Sequence, residues 1–436
     1  MSNDAIIETE VVSTGTGVQR ATKIRWLLLA FIWLSCLIAY MDRVNLSVCG
    51  PMIMKDYGFD KVRLGMTMSA FFLSYMLMQI PGGLLSEKFG IRKTGAGAII
   101  WWSIFTAITP LAWGFYSFMI IRFLFGAGEG PLFPNNGSFI AKWFNTKEKS
   151  MASGIMISGA FIGPAVGPPL TVWIMTTWGW HAVFYTYGLI GFTIACIWYV
   201  FSRDYPHLHP KTNKVEVEHI AEKSIELAKA SAVHEVAPWK EFLKSRQFWT
   251  LGLQYYTVNY IMYIFLSWLP IYLLEARGLS LKAMGIAAAY PWLAICFALV
   301  LGGRISDIMQ AKGLSKFKSR TVPALIGMVV CGISFFQGAN ATTVNQNILW
   351  LTLSLGSLGF TYTASYTACQ DLGQRFGGSV VAWMNTWANI GGLSAPTITA
   401  LLVKSFGWQP ALSMTSIIVA FGAVCWLFVK PDKALV

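Results

Sequence analysis

Long apolar runs alternate with short polar segments along almost the whole chain. Runs of about 18 or more apolar residues are typical of helices that cross a membrane, because every backbone N–H and C=O group in lipid must find its partner within the same helix. The predicted spans are residues 26–50, 63–85, 94–115, 117–141, 150–176, 181–202, 247–274, 283–308, 321–338, 347–371, 377–404 and 408–429. These twelve runs predict an all-α integral membrane protein.

One longer polar stretch separates the first six spans from the last six, and it contains a short amphipathic segment, VEVEHIAEKSIELAKA. Neither its histidines nor the scattered cysteines of the chain match a metal-ligand spacing, so no metal site is expected. The predicted regions are a cytoplasmic tail (1–25), a six-helix bundle (26–202), a cytoplasmic linker with a short surface helix (203–246), a second six-helix bundle (247–429) and a second cytoplasmic tail (430–436).

Composition and charge agree with a membrane protein. Of the 436 residues, 55% are hydrophobic and 12% are charged, whereas a soluble domain has about 25% charged residues. The net charge of +13 would suggest a nucleic-acid partner in a soluble protein, but the basic residues here fall in alternate loops, as the positive-inside rule requires. We therefore expect both termini in the cytoplasm, a lipid bilayer as the surroundings and no nucleic acid.

Few charges interrupt the predicted spans. Asp42 and Arg43 lie in the first, and Arg122 and Glu129 lie in the fourth. A charge at mid-membrane costs about 2.5 to 3.5 kcal/mol, so such residues usually face the interior of the bundle. Asp42 and Arg43 point about 100° apart on a helix, whereas Arg122 and Glu129 share one face. Each acid is therefore expected to meet the arginine of the other helix, or to meet it through a substrate.

These four charges have two interpretations. They can form ion pairs that only hold the two helices together. Alternatively, Arg43 can bind an anionic substrate, because guanidinium binds carboxylates with two parallel hydrogen bonds and keeps its charge when buried. Burial favours the neutral form of a carboxyl group and a nearby arginine favours the charged form, so Asp42 or Glu129 could gain and lose a proton during a transport cycle.

A short pattern recurs after the second span of each half. It reads GLLSEKFGIRK at 83–93 and GRISD at 303–307. Glycine allows helices to approach closely, and an acid can pair with a helix end or an arginine and separate again when the halves move. The predicted gating residues are Gly83, Glu87, Gly90, Arg92, Gly303, Asp307 and Arg320.

Together with these loops, three further segments resemble the major facilitator superfamily, and within it the anion:cation symporter family that includes bacterial sugar-acid permeases of the galactonate type. The segments are YMDRVNL at 40–46, SYMLMQIPGG at 74–83, and RFLFGAGEGPLFPNN at 122–136 followed by KWF at 142–144. The resemblance extends over the chain from about residue 24. It implies twelve helices in two six-helix bundles that carry a small organic anion by alternating access.

The resemblance also implies roles for single residues. Positions matching Asp42 and Glu129 are protonation sites, and Arg122 would set the affinity of Glu129 for its proton. The position matching Arg43 contacts the substrate anion, as does the position of Tyr75. In the second half, Asn385 matches a binding position of the family.

Polar residues within the second half are further candidates for substrate binding. A buried amide or hydroxyl in lipid needs a partner, which can be a hydroxylated substrate or a neighbouring helix. The candidates are Tyr255, Asn259, Tyr362, Ser365 and Asn385. The chain departs from the sugar-acid permeases here, because Ser365 stands in place of a tryptophan. The glutamine of their seventh helix is either replaced by Tyr255 or shifted to Gln254. A less hydroxylated substrate or an aromatic one is therefore a further alternative.

These patterns predict a proton-coupled symporter that imports a small organic anion, such as a sugar acid or another carboxylate, across a bacterial inner membrane. We expect a functional monomer without a cofactor. The alternatives are a uniporter, exchanger or exporter of a larger anion that works without protons, and a sensor that binds without transport. An enzyme is not expected, because no cluster of nucleophile and base or of metal ligands was found in the spans.

Overall fold

The computed structural model describes residues 20–221 and 237–435, and it is helical over most of this length. The first half contains α1 (Ile24–Val48), α2 (Gly50–Tyr57), α3 (Lys61–Ala107), α4 (Phe115–Glu129), α5 (Leu132–Trp143), α6 (Lys149–Trp178) and α7 (Trp180–Phe201). The linker contains α8 (Lys214–Ala221) and α9 (Trp239–Lys244). The second half contains α10 (Arg246–Glu275), α11 (Leu281–Ala311), α12 (Val322–Asn340), α13 (Val344–Gly373), α14 (Gly377–Phe406) and α15 (Trp408–Trp426). The predicted all-α membrane fold is confirmed.

Three of the predicted spans, the second, third and fourth, differ from the observed helices. The second and third spans form one long helix, α3, which is kinked at Gly90, where φ is 84°. The fourth is divided into α4 and α5, because Pro131 has no N–H group to continue the hydrogen bonding of α4. The third also ends earlier than expected, at Ala107, and is followed by a 3₁₀ turn that contains Pro110.

The number of crossings follows from these breaks. Eight helices in the described ranges are long and apolar enough to cross a membrane, with α3 counted once. The two parts of α3 make two crossings. A further crossing is made by α4 and α5 together, and α13 and α14 make one each. Twelve crossings result, six in each half.

The first part of the linker is fastened to the first half. Glu216 of α8 is fully buried, and its carboxylate accepts hydrogen bonds from the Thr22 hydroxyl (2.5 Å) and from Nη1 of Arg25 (2.9 Å). Arg25 also forms an ion pair with Glu148, in the connection before α6 (2.9 Å). The rest of the predicted surface helix, together with His234, falls in residues 222–236, outside the described residues.

Both described ends of the chain lie on the side of the linker, which we name the linker end. The Thr22 contact to Glu216 places the N-terminal segment there. The backbone N–H of Lys430 donates to Oε1 of Gln247 (2.9 Å), which places the C-terminal segment at the start of α10, just after the linker. The opposite side of the bundle is named the far end.

The two halves are closed against each other at the far end. The Ser47 hydroxyl of α1 donates to the backbone carbonyl of Ser267 in α10 (2.6 Å). Two ion pairs cross between the halves, and both have an N–O distance of 3.0 Å. They join Lys61 to Glu275 and Asp60 to Lys404. Deeper in the bundle, Ser69 of α3 bonds to Thr397 of α14 (2.7 Å).

Removing the crossing ion pairs should favour opening at the far end. Exposed pairs contribute up to about 1 kcal/mol each, so a Lys61→Gln, Lys404→Gln double variant should shift the closed-to-open ratio by up to about 30-fold. The pKa of Asp60 lies below its usual range, mainly because its carboxylate accepts the Arg63 N–H. The Asp60 contribution is therefore present at neutral pH and is lost as pH falls through this lowered pKa.

Distances between spin labels at positions 55 and 282, both exposed at the far end, would measure this shift. Cys196, the cysteine classed as exposed, would first be replaced by serine. Lys244→Gln is the matched control, because Lys244 pairs with Glu241 within one linker helix. An unchanged distance distribution in the double variant would show that apolar packing alone closes the far end.

Candidate functional site

The centre of the site is an ion pair between α1 and α4. Nε and Nη2 of Arg43 lie 2.8 Å and 2.7 Å from Oε2 of Glu129. The side chains are 2% and 0% exposed to solvent, respectively. Glu129 therefore meets the arginine of the other helix, as the helical geometry predicts. The other carboxylate oxygen of Glu129 and Nη1 of Arg43 have no hydrogen-bond partner among the described residues.

Aromatic rings surround the guanidinium of Arg43. Its central carbon lies 4.3 Å from the ring centre of Tyr40, 4.6 Å from that of Tyr75 and 4.9 Å from that of Phe71. Such contacts attract a cation to the face of an aromatic ring, most strongly where water is excluded. Tyr75, predicted to contact the substrate, thus lies directly against the arginine predicted to bind it.

The second pair expected from the sequence, Asp42 with Arg122, does not form. Oδ1 of Asp42 accepts a hydrogen bond from Nδ2 of Asn45 (3.3 Å), whereas Oδ2 has no partner within the described chain. The Arg122 guanidinium instead lies over the ring of Phe125, 4.1 Å from its centre. A direct contact is absent in this conformation because seven residues of spacing on one helix fix a shared face but not which neighbour each side chain reaches. Contact between Asp42 and Arg122 through a substrate stays a prediction.

The polar candidates of the second half are bonded mainly to each other. The Tyr362 hydroxyl donates to Oδ1 of Asn259 (2.9 Å), and Nδ2 of Asn259 donates to the backbone carbonyl of Tyr255 (2.9 Å). Nε2 of Gln254 donates to the hydroxyl of Ser365 (3.2 Å). In this conformation these groups join α10 to α13, and a substrate would have to replace those bonds.

Two further residues connect the halves at mid-depth. Asn389 of α14 donates to Oε1 of Gln79 in α3 (3.3 Å), and Asn385 lies half-buried one turn earlier. Gln79 was missed in the sequence, although a lone amide in SYMLMQIPGG is a signal of the same kind as Asn259. Phe161 of α6 also contacts Tyr362, with ring centres 5.8 Å apart.

The predicted gating residues of the first half lie at the linker end. At Gly90 the positive φ produces the break in α3, and an added Cβ would collide with the carboxylate of Asp204. Asp204 accepts the backbone N–H of Arg92 (2.9 Å), while Nε of Arg92 donates to the carbonyl of Tyr199 (2.7 Å). Asp204 was not predicted, although it is an acid directly after the sixth span.

The corresponding residues of the second half form a similar cluster. Arg320 lies 3.4 Å from Asp371 and 3.8 Å from Asp307. Its Nη1 also donates to the hydroxyl of Ser306 (2.5 Å). The remaining gating candidates are placed by their neighbours and exposure: Gly83 lies beside Pro134, Gly303 lies beside Thr363, and Glu87 is exposed.

Comparison of the sequence with models of known protein families shows which family the chain belongs to. The model of the Major Facilitator Superfamily matches residues 32–396. The chain belongs to the major facilitator superfamily. The resemblance seen in the sequence motifs is thereby confirmed. No group of three or more His, Cys, Asp or Glu residues that could hold a metal ion was found where the structure describes the chain.

Several relatives of this major facilitator protein are sugar-acid transporters. It is 31% identical over 444 residues to the probable galactarate/D-glucarate transporter GarP of Escherichia coli (strain K12), covering 97% of this chain and 98% of the relative. It is 32% identical to the probable galactarate/D-glucarate transporter GudP of Bacillus subtilis (strain 168), covering 90% and 88%. It is 29% identical to the D-galactonate transporter of Escherichia coli O6:H1, covering 94% and 96%.

Solved structures support the fold alone. A bacterial homologue of the human lysosomal transporter Spinster matches with a TM-score of 0.76 at 16% identity, covering 94% of this chain and 97% of that one. A D-xylose–proton symporter matches with a TM-score of 0.71 at 14% identity, covering 94% and 99%. The major facilitator fold predicted from the sequence is confirmed.

Proposed function

We propose that the protein is a proton-coupled symporter that imports a small organic anion, with sugar acids as the first substrates to test. The observation that carries the proposal is the buried pair of Arg43 and Glu129 between α1 and α4. A substrate carboxylate has the same chemistry as the Glu129 carboxylate. It can therefore take the place of Glu129 on the guanidinium.

Protonation of Glu129 provides the coupling in this scheme. A neutral Glu129 no longer balances the charge of Arg43, and a buried charge without a partner costs about 3 to 5 kcal/mol. A substrate anion restores the balance. The proton and the anion therefore favour each other's binding, which is the thermodynamic requirement of symport.

Asp42 supplies a second proton site in the proposal, since one of its oxygens has no partner among the described residues. Arg122, in the same helix as Glu129, sets the affinity of Glu129 for its proton. Tyr75 contacts the anion beside Arg43. The candidates in the second half, Tyr255, Asn259, Tyr362, Ser365 and Asn385, bind the rest of the substrate once their mutual bonds are exchanged.

The cycle uses the two ends of the bundle in turn. Far-end opening requires separation of Asp60 from Lys404 and of Lys61 from Glu275, whereas linker-end opening uses the clusters around Arg92 and Arg320. We place the linker end in the cytoplasm of a bacterial cell and the bundle in its inner membrane. A monomer contains all of these elements, and the function is transport rather than catalysis.

Uptake into proteoliposomes tests the proposal. Radiolabelled D-glucarate, galactarate and D-galactonate would be offered with and without an inward proton gradient, because these are the acids in the names of the relatives given above. Accumulation that requires the gradient and collapses with a protonophore is expected for at least one of them. Uptake that ignores the gradient would favour the alternative, a uniporter or exchanger.

A further inference from the structure

A group of buried polar atoms inside the first half has no hydrogen-bond partner among the described residues. The atoms are Oδ2 of Asp42, Oγ1 of Thr106, Oγ of Ser103, Nε1 of Trp102 and Nε1 of Trp198. All five side chains are at most 3% exposed. Buried polar groups in proteins are nearly always hydrogen-bonded, and ordered water is the usual partner when the protein supplies none. The concentration of such atoms in one half therefore indicates internal water.

The atoms follow one another from Asp42 along α3. The hydroxyl of Thr106 lies beside the Asp42 carboxyl. Ser103 comes one helical turn earlier on the same face as Thr106. The Ser103 hydroxyl lies against Gly191 of α7, where a Cβ would occupy its space, and Nε1 of Trp102 lies near the same glycine.

A cavity continues this line towards the linker end. It has room for about one water molecule. Its lining includes Trp102, Trp198, Ser35 and Asn135, from α1, α3, α5 and α7. Gly95 keeps part of the space open, because a Cβ there would lie 2.7 Å from Nδ2 of Asn135 and 2.8 Å from Nε1 of Trp198.

The polar line reaches the linker-end turn of α3 through Asn135. Its Oδ1 accepts a hydrogen bond from the hydroxyl of Ser86 (2.9 Å), four residues before the break at Gly90. From Thr106 to Gly95 the helix rises by roughly 16 Å, about half the thickness of the apolar core of a bilayer. The line therefore joins the depth of Asp42 to the edge of the membrane.

We propose that these groups hold a file of water molecules that carries protons between Asp42 and the linker end through the interior of the first half. The inference rests on the proposed function, since it describes how the proton of the second site, Asp42, leaves. The substrate moves between the two halves, whereas this route lies within one of them. Proton and anion would thus reach the linker end by different paths.

The chemistry of the groups fits a relay. Protonated Asp42 gives its proton to a neighbouring water or to the Thr106 hydroxyl and becomes a carboxylate. Each water or hydroxyl accepts one proton on a lone pair and releases another, so that one proton leaves at the linker end for each one that Asp42 gives up. The indole N–H groups of Trp102 and Trp198 only donate, and they hold water oxygens in place.

The test separates proton release from substrate binding. Thr106→Val keeps the shape of the side chain but removes the hydroxyl, and Trp198→Phe removes the N–H at the other end of the file. In proteoliposomes, exchange of radiolabelled D-glucarate at equal pH should stay within about twofold of wild type. Uptake driven by a proton gradient, followed with a trapped pH dye, should slow by about tenfold, because the file loses a hydrogen-bonding member.

Matched controls come from the same half. The Thr193 hydroxyl already donates to the carbonyl of Leu189 in its own helix (2.8 Å), and Nε1 of Trp101 donates to the carbonyl of Leu124 (2.8 Å). Thr193→Val and Trp101→Phe should leave both activities unchanged.

Driven uptake at the wild-type rate in both file variants would overturn the inference while leaving symport intact. If Thr106→Val also loses exchange, its slow driven uptake is not specific to proton release. The comparison of driven uptake with exchange in Trp198→Phe then decides the question. Wild-type uptake that does not respond to a proton gradient would instead overturn the proposed coupling, and the proton file with it.

Discussion

An Arg43→Lys variant is expected to lose binding of D-glucarate by at least about 100-fold, because lysine cannot form the two parallel hydrogen bonds that guanidinium makes with a carboxylate. The change also disturbs the pair with Glu129, in which Nε and Nη2 both reach Oε2. A buried carboxylate without a well-matched partner costs about 3 to 5 kcal/mol. A cost of this size corresponds to a change of about 100-fold or more in the dissociation constant.

Titration calorimetry on the detergent-solubilised protein would measure the dissociation constant. Arg63→Lys is the matched control, because Arg63 is exposed at the far end and contacts only the ring of Phe115 among the described aromatic residues. Binding by Arg43→Lys within about threefold of wild type would refute the role of Arg43 as the carboxylate clamp and would leave the pair with a structural function.

A Glu129→Gln variant is expected to bind the anion independently of pH and to lose accumulation driven by a proton gradient. Glutamine is neutral and has nearly the shape of protonated glutamate, so Arg43 becomes permanently available to the substrate. In the wild type, raising the pH returns the charge to Glu129, the pair with Arg43 forms again, and the anion binds more weakly. The variant should exchange D-glucarate across the membrane but should not concentrate it.

The dissociation constant of D-glucarate measured from pH 5 to pH 9 would show this directly. Wild type should weaken by about tenfold for each pH unit above the pKa of the coupled group, while Glu129→Gln stays flat. Glu218→Gln, a change on the exposed face of α8, should follow the wild type. A variant that keeps the wild-type pH slope would assign the coupling to another carboxyl group, with Asp42 as the next to test.

The sequence predicted most of the fold because apolar run length is a strong signal. It did not show where helices break, since the break at Gly90 depends on one positive φ and the end of α4 depends on the position of Pro131. Both are local backbone features that an average over many residues does not detect.

The sequence identified the charged members of the candidate site and the pair of Arg43 with Glu129, but it did not show that Asp42 and Arg122 lack a direct ion pair. The cost of burying charge singles out Asp42, Arg43, Arg122 and Glu129 in any apolar run. Which of them meet depends on how α1 and α4 are rotated, and the sequence does not contain that angle. The amides of the second half were equally visible, but only the structure shows that Asn259 is bonded to Tyr362.

The attachment of α8 changes how the two halves are coupled mechanically. The sequence predicted a linker at residues 203–246 with a short surface helix. Hydrogen bonds from Thr22 and Arg25 to Glu216 hold α8 against the first half. The segment from the end of α7 to α8 therefore belongs structurally to the first half. A linker shortened before Glu216 would remove these contacts from the first half.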